Sequence, residues 1–144
     1  MTYKDYVERP MRLQRKLKHK IEDVQLKLTI CQATTSGISD DKVQTSAHNR
    51  TEDSYMRYID AKRELNALAE ELEETRKDVR AFLYSAISEI DADLLEWRYI
   101  EGKSASEIAD MFGVTYDATR QRIKRANKQA RDFFEHNFNK KLKN

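Results

Sequence analysis

Apolar side chains return at helical intervals along residues 3–31. Leu13, Leu17, Ile21, Val24, Leu28 and Cys31 are separated by steps of four, four, three, four and three. That spacing lays one apolar stripe along a helix, with Arg12, Arg15, Lys16, Lys18 and Glu22 on the other face. A second periodic run covers residues 52–86. Tyr58, Leu65, Leu72, Val79 and Ala86 recur every seven, and Ala61, Leu68, Thr75 and Phe82 fill the intervening positions. Apolar a and d sites over four heptads predict a coiled-coil helix. It can pair with the first helix, with a second copy of the chain, or with both, because an unpaired stripe of that length would be an exposed apolar patch. Between the two runs lies ATTSGISDDKVQTSAHNRT, residues 33–51. It is rich in Ser, Thr and Asp and buries almost nothing, so it reads as a flexible linker whose flanking helices meet as an antiparallel pair.

The texture changes after Ala86. DADLLEWRYIEG predicts a short helix ended by Gly102, with Trp97 as the anchor of a small core. Ser104 and Glu107 then form a Ser-x-x-Glu capping box. Ile108, Ala109 and Phe112 make the apolar face of the helix it starts, and Gly113 stops that helix. Val114 is expected to plug the turn. Thr115 caps a final helix, with Asp117 in its first turn. A small residue at 109, glycine four positions later and a hydrophobe after it follow the spacing of a helix-turn-helix. The final helix is long. Its buried face is expected to run through Thr119, Ile123, Ala126, Ala130 and Phe133 or Phe134. The fold class is therefore all-α: a helical arm over 1–86 (helices 3–31 and 52–86, linker 33–51) and a helix-turn-helix domain over 88–144.

Charge sharpens this picture through its distribution. The net charge is only +2, but residues 120–131 hold six Lys/Arg and no acid, while residues 52–80 hold nine acids and six Lys/Arg. A basic run without internal neutralisation attracts an anion. Ser104, Thr115, Tyr116, Asp117, Arg120, Gln121, Lys124, Arg125, Lys128 and Arg131 are accordingly the candidate DNA-contacting residues. Arginine can give two parallel hydrogen bonds to guanine and glutamine to adenine, and Arg125, Lys128 and Arg131 suit backbone phosphates. Double-stranded DNA is the expected partner.

LLEWRYIEGKSASEIADMFGVTYDATRQRIKRANKQARDFF resembles region four of bacterial sigma factors, chiefly in RYIEGKS-x-x-EIA, FGVT and the Arg-Gln pair at 120–121. The resemblance covers about residues 88–135. The layout of helical arm and C-terminal domain resembles the sigma-like late transcription regulators of phages of the RinA/ArpU type. That resemblance implies control of late, packaging or lysis genes, with Tyr116, Asp117, Arg120, Gln121 and Lys124 on the recognition surface. Thr119 and Arg122 depart from the pattern, standing where region four often has isoleucine, which shifts the expected buried face toward Ile123. Nothing here resembles the segments that bind the −10 element, so a full sigma factor is not expected.

Other features change the reading little. Three scattered histidines, His19, His48 and His136, and one cysteine suggest neither a metal site nor a disulfide. No cofactor is implied, and no acid/base or nucleophile arrangement suggests an enzyme. No stretch approaches the ~18 apolar residues that a membrane span requires, and the start has no signal-peptide character, so a cytoplasmic protein is expected. Glu89, Asp91 and Asp93 read either as ordinary charge at a helix start or, with Glu96, as a docking surface for RNA polymerase. The basic stretch from Arg12 to Lys20 reads either as a second DNA contact or, in preference, as a solvated face, since coiled-coil outer faces are routinely charged. Two alternatives stay open: a DNA-packaging factor like a terminase small subunit, and a scaffold in which the coiled coil is the function.

Overall fold

A computed structural model of the chain describes residues 1–36 and 44–143, with side chains outside 35–49. These residues form α1 (Tyr3–Ser36), α2 (Gln44–Ala86), α3 (Glu89–Tyr99), α4 (Ala105–Phe112) and α5 (Tyr116–Lys143), and no strand occurs among them. The all-α expectation holds. The link expected over 33–51 is shortened at both ends, since α1 runs on through Ser36 and α2 begins at Gln44. The rest of that stretch, and the side chain of His48, lie outside the described residues.

The chain divides into two compact units, and the division falls elsewhere than at the expected boundary near residue 87. One unit joins Met1–Arg12 to Glu73–Asn144; the other is Leu13–Leu72. The expected arm is thus split. The reason lies in the core of the first unit, which needs both its ends: Tyr3 and Val7 of α1 and Val79 and Leu83 of α2 are buried with Ala92, Leu95, Ile100, Ala126 and Ala130.

Within Leu13–Leu72, Lys20 of α1 is ion-paired with Glu64 of α2, so the two helices face each other inside one chain. Lys27 and Asp23 add a bond of 3.0 Å on the α1 side. Leu13 is buried and Leu17, Val24, Leu28 and Cys31 are half-buried, as the stripe predicted. Ile21 is not part of it: this residue is 41% exposed. Two successive four-residue steps overrun the helical period of 3.6, and Lys20 takes the inward place instead. Its stem covers apolar surface while its ammonium meets Glu64. On α2 the expected positions Ala61 and Leu72 are buried and Tyr58, Leu65 and Leu68 half-buried.

In the other unit α1 starts at a cap built from its own sequence. The Thr2 hydroxyl accepts from the Asp5 N–H at 3.1 Å, and the Arg12 guanidinium reaches the Asp5 carboxylate at 3.0 Å. The Thr2 hydroxyl and Arg12 hold the Asp5 carboxyl below its usual pKa. Tyr6 packs edge-on against Phe82 at 5.3 Å and lies against Phe134 at 5.4 Å, and its hydroxyl donates to the Asp78 carbonyl at 3.1 Å. Rings at such separations add about 0.5–1.5 kcal/mol per pair beyond the area they bury. Trp97, expected to anchor the core, is only half-buried and stacks on Phe112 at 4.9 Å; the centre is held by Leu83 and Leu95.

One polar knot ties α1 and α3 to α5. The Tyr3 hydroxyl donates to Asn127 Oδ1 at 2.8 Å, and the Tyr99 hydroxyl donates to the same oxygen at 3.1 Å. Burial pushes both phenols above their ordinary pKa, which keeps them protonated as donors. Asn127→Ala leaves two partly buried hydroxyls without an acceptor. The expected cost is about 1–3 kcal/mol, read as a lower midpoint in denaturant unfolding. Tyr99→Phe, which removes a single donor, should cost less than the Asn127 change.

Candidate nucleic-acid interface

The turn between α4 and α5 is set by residues close in sequence. Ser104 Oγ accepts from the Glu107 N–H at 3.2 Å, and the Glu107 carboxylate accepts from the Ser104 N–H at 2.9 Å. This is the reciprocal box the sequence predicted. Gly113 follows Phe112 with φ +66, a left-handed conformation that costs side-chain-bearing residues energy. The Val114 N–H closes the turn on the Ala109 carbonyl at 3.1 Å. The Thr115 hydroxyl accepts from the Ala118 N–H at 3.2 Å and so caps α5. Ser104→Ala is expected to lower stability by about 0.5–2 kcal/mol. An added Cβ at Gly113 meets nothing within 4 Å, so Gly113→Ala should cost about 1 kcal/mol through backbone strain alone. Thermal melts of the two variants check both values.

Ile108 and Ala109 point inward and are buried. Val114, expected to plug the joint, is 51% exposed. The left-handed turn carries it outward, where it lines a shallow groove of about 310 Å³ with Ile90, Leu94, Phe112 and Ala118. Thr119, Ala126 and Ala130 form the buried side of α5, with Ile123, Phe133 and Phe134 half-buried beside them. Thr119 is accommodated in this face because its hydroxyl donates to the Thr115 carbonyl at 3.0 Å. Arg122 sits outside it and donates to the Asp91 carboxylate at 3.1 Å.

The remaining circumference of α5 is exposed. Tyr116, Asp117, Arg120, Gln121, Lys124, Arg125, Lys128 and Arg131 all lie on it. The Arg120 guanidinium lies 5.7 Å from the centre of the Tyr116 ring, a cation–π approach that orients its planar fork. Gln121, Lys124, Arg125, Lys128 and Arg131 line one continuous surface depression of about 530 Å³. A groove of about 810 Å³ lies on the other flank of Gln121, Lys124 and Arg131, and Tyr116, Asp117 and Arg120 line it as well. Eight of the ten candidate residues thus share one helix face. Ser104 and Thr115 line neither depression, and their hydroxyls are engaged as caps.

Asp91, Asp93 and Glu96 of α3 are engaged within the unit, while Glu89 is exposed. The Asp91 carboxylate accepts from Arg122 and from the Ser88 hydroxyl, the latter at 3.1 Å. The Tyr84 hydroxyl donates to Asp93, a bond that pushes the phenol's pKa upward ahead of desolvation. Glu96 receives Arg80 at 2.6 Å and Tyr84 at 2.9 Å. These bonds fasten the end of α2 to α3. Asn127, Lys4 and Glu8 have no counterpart among the residues picked from sequence. The place of Lys4 and Glu8 beside α5, and the contact of Asn127 with Tyr3, depend on packing between residues more than a hundred positions apart, and no local spacing announces that.

A short helix and a long one joined at a left-handed glycine, the second exposing cations that no acid interrupts from residue 120 to 131, define a helix-turn-helix DNA-binding domain. Residues 85–132 match the family model for sigma-70, region 4. The match covers a third of the chain and takes in the last two residues of α2, all of α3 and α4, and α5 as far as Asp132. No curated protein and no solved structure shows a significant match to the chain. No helix among the described residues is long and apolar enough to cross a membrane.

Proposed function

We propose that the protein is a sequence-specific transcription regulator that reads duplex DNA with the first turns of α5, and that it belongs to the RinA/ArpU type of phage late-gene activators. The observation that carries this reading is the exposed face of α5, whose cationic side chains from residue 120 to 131 are interrupted by no acid. Arg120 and Gln121, near the helix start, take the base edges, while Arg125, Lys128 and Arg131 hold phosphates on either side. The family match over α3–α5 supports the docking geometry, in which the second helix of the motif enters the major groove. RNA polymerase is the proposed protein partner, self-association through α1 and α2 the proposed assembly, and the host cytoplasm the proposed site of action. The role is one of binding rather than catalysis.

Selection of bound duplexes from a random pool with the purified full chain tests this. An enriched common sequence whose affinity falls steeply with salt is the expected result. Half-site symmetry in that sequence would identify a dimer as the binding species. Indifference to duplexes at low ionic strength would overturn the proposal.

A further inference from the structure

The groove of about 810 Å³ beside α5 has a second wall that sigma region 4 alone would not provide. Tyr3, Lys4, Val7 and Glu8 of α1 line it opposite the recognition residues of α5. This wall is fixed. Tyr3 is 5% exposed and bonded to Asn127 of α5, and Val7 is buried in the shared core. Lys4 follows Tyr3 directly, is exposed, and carries no ion pair among the described residues. The groove gathers cations from three helices: Lys4 from α1, Arg98 from α3, and Arg120, Lys124 and Arg131 from α5. The acids lining it are Glu8 and Asp117. A lysine held on a rigid wall beside a cationic helix gains little from solvent contact alone, but it is well placed for a polyanion that already lies along that helix.

We infer that the start of α1 belongs to the DNA-contacting surface: Lys4 takes a backbone phosphate of the strand that passes between α1 and α5, across the groove from Arg120, Lys124 and Arg131. The inference rests on the DNA-binding reading of α5 and extends it to a helix outside the matched domain. The chemistry is that of a point charge. The ammonium donates to a phosphate oxygen and releases a condensed counterion, whatever the base sequence. Glu8, one turn along the same wall, opposes the same strand.

The test measures duplex affinity of full-length Lys4→Gln and Glu8→Gln against salt concentration by fluorescence anisotropy, on a selected and on a random duplex. Lys4→Gln should weaken both complexes about three- to tenfold near 0.1 M salt and make the log–log salt slope shallower by about 0.9. Glu8→Gln should tighten both complexes by a similar factor. Both positions lie outside the buried core, and unchanged melting curves would show the fold intact. If Lys4→Gln and Glu8→Gln leave affinity and slope unchanged while Lys128→Ala lowers both, the α1 contact is overturned and the role of α5 stands. A loss confined to the selected duplex overturns the phosphate assignment. Wild-type protein that ignores duplexes overturns this inference together with the reading beneath it.

Discussion

Replacing Leu83 by alanine is expected to cost the unit that carries the helix-turn-helix about 2–5 kcal/mol, the range for emptying a fully buried leucine site. Leu83 has no exposed surface, and Val79, Leu95, Ala126 and Ala130 are in the same core. No small side chain can close the space without moving a helix, because interiors are packed as densely as organic crystals. The interest of the position is that it precedes residue 85, where the match to sigma region 4 begins. If the matched segment were self-sufficient, emptying a site on α2 would leave α3–α5 folded and able to bind. The packing says otherwise: Ala92, Ala126 and Ala130 let helices approach but supply little apolar area, and beside Leu95 and Ile100 the larger side chains of the core, Tyr3, Val7, Val79 and Leu83, come from α1 and α2. Denaturant unfolding followed by far-UV circular dichroism and by tryptophan emission checks this. Trp97 is the chain's only tryptophan and lies on α3, inside the matched segment. The emission transition should move to lower denaturant in Leu83→Ala. An unmoved transition would show that α3–α5 folds independently of α2.

The parts of the fold specified by neighbours in sequence were legible there. The capping box at Ser104 and Glu107, the stop at Gly113 and the cap at Thr115 each join residues within one turn, and the structure has all three. The exposed face of α5 was legible for the same reason, since a helical period and a run of like charge fix it. What was hidden depends on contacts distant along the chain. The heptads on α2 bring Val79 and Thr75 inward, and both are buried. They also place Phe82 inward, yet Leu83 is the fully buried residue and Phe82 only half-buried. A two-position stripe describes a helix with one partner. The last turns of α2 share a core with α1, α3 and α5, so their apolar face is wider than a heptad seam. Tyr3 and Val7 were likewise ordinary positions in an arm until α5 was placed beside them. For the acids of α3 the sequence allows either ordinary helix-start charge or a docking surface; the intramolecular partners Arg122, Tyr84 and Arg80 that engage Asp91, Asp93 and Glu96 are not legible there.

Arg120→Ala should lower the preference for the selected duplex over a random one by roughly 1–3 kcal/mol, about a five- to 150-fold loss of discrimination. Lys128→Ala should weaken both duplexes equally and reduce the salt slope by about one. The two residues are both exposed cations on α5, so charge alone predicts the same outcome for each. Geometry separates them. Arg120 sits in the second turn of the helix with its guanidinium set by the Tyr116 ring at 5.7 Å, and a planar fork held in this way can meet guanine O6 and N7 together. Lys128 is two turns further along, within the depression it shares with Arg125 and Arg131. In the proposed docking the helix there leaves the groove floor for the backbone, where a flexible ammonium matches a phosphate as a point charge. Lysine at 120 supplies the third term of the comparison. Arg120→Lys keeps the charge and removes the fork, so it should retain the salt slope while losing most of the discrimination. If Arg120→Lys behaves as wild type, α5 attracts DNA without reading it, and specificity must then come from shape or from another element.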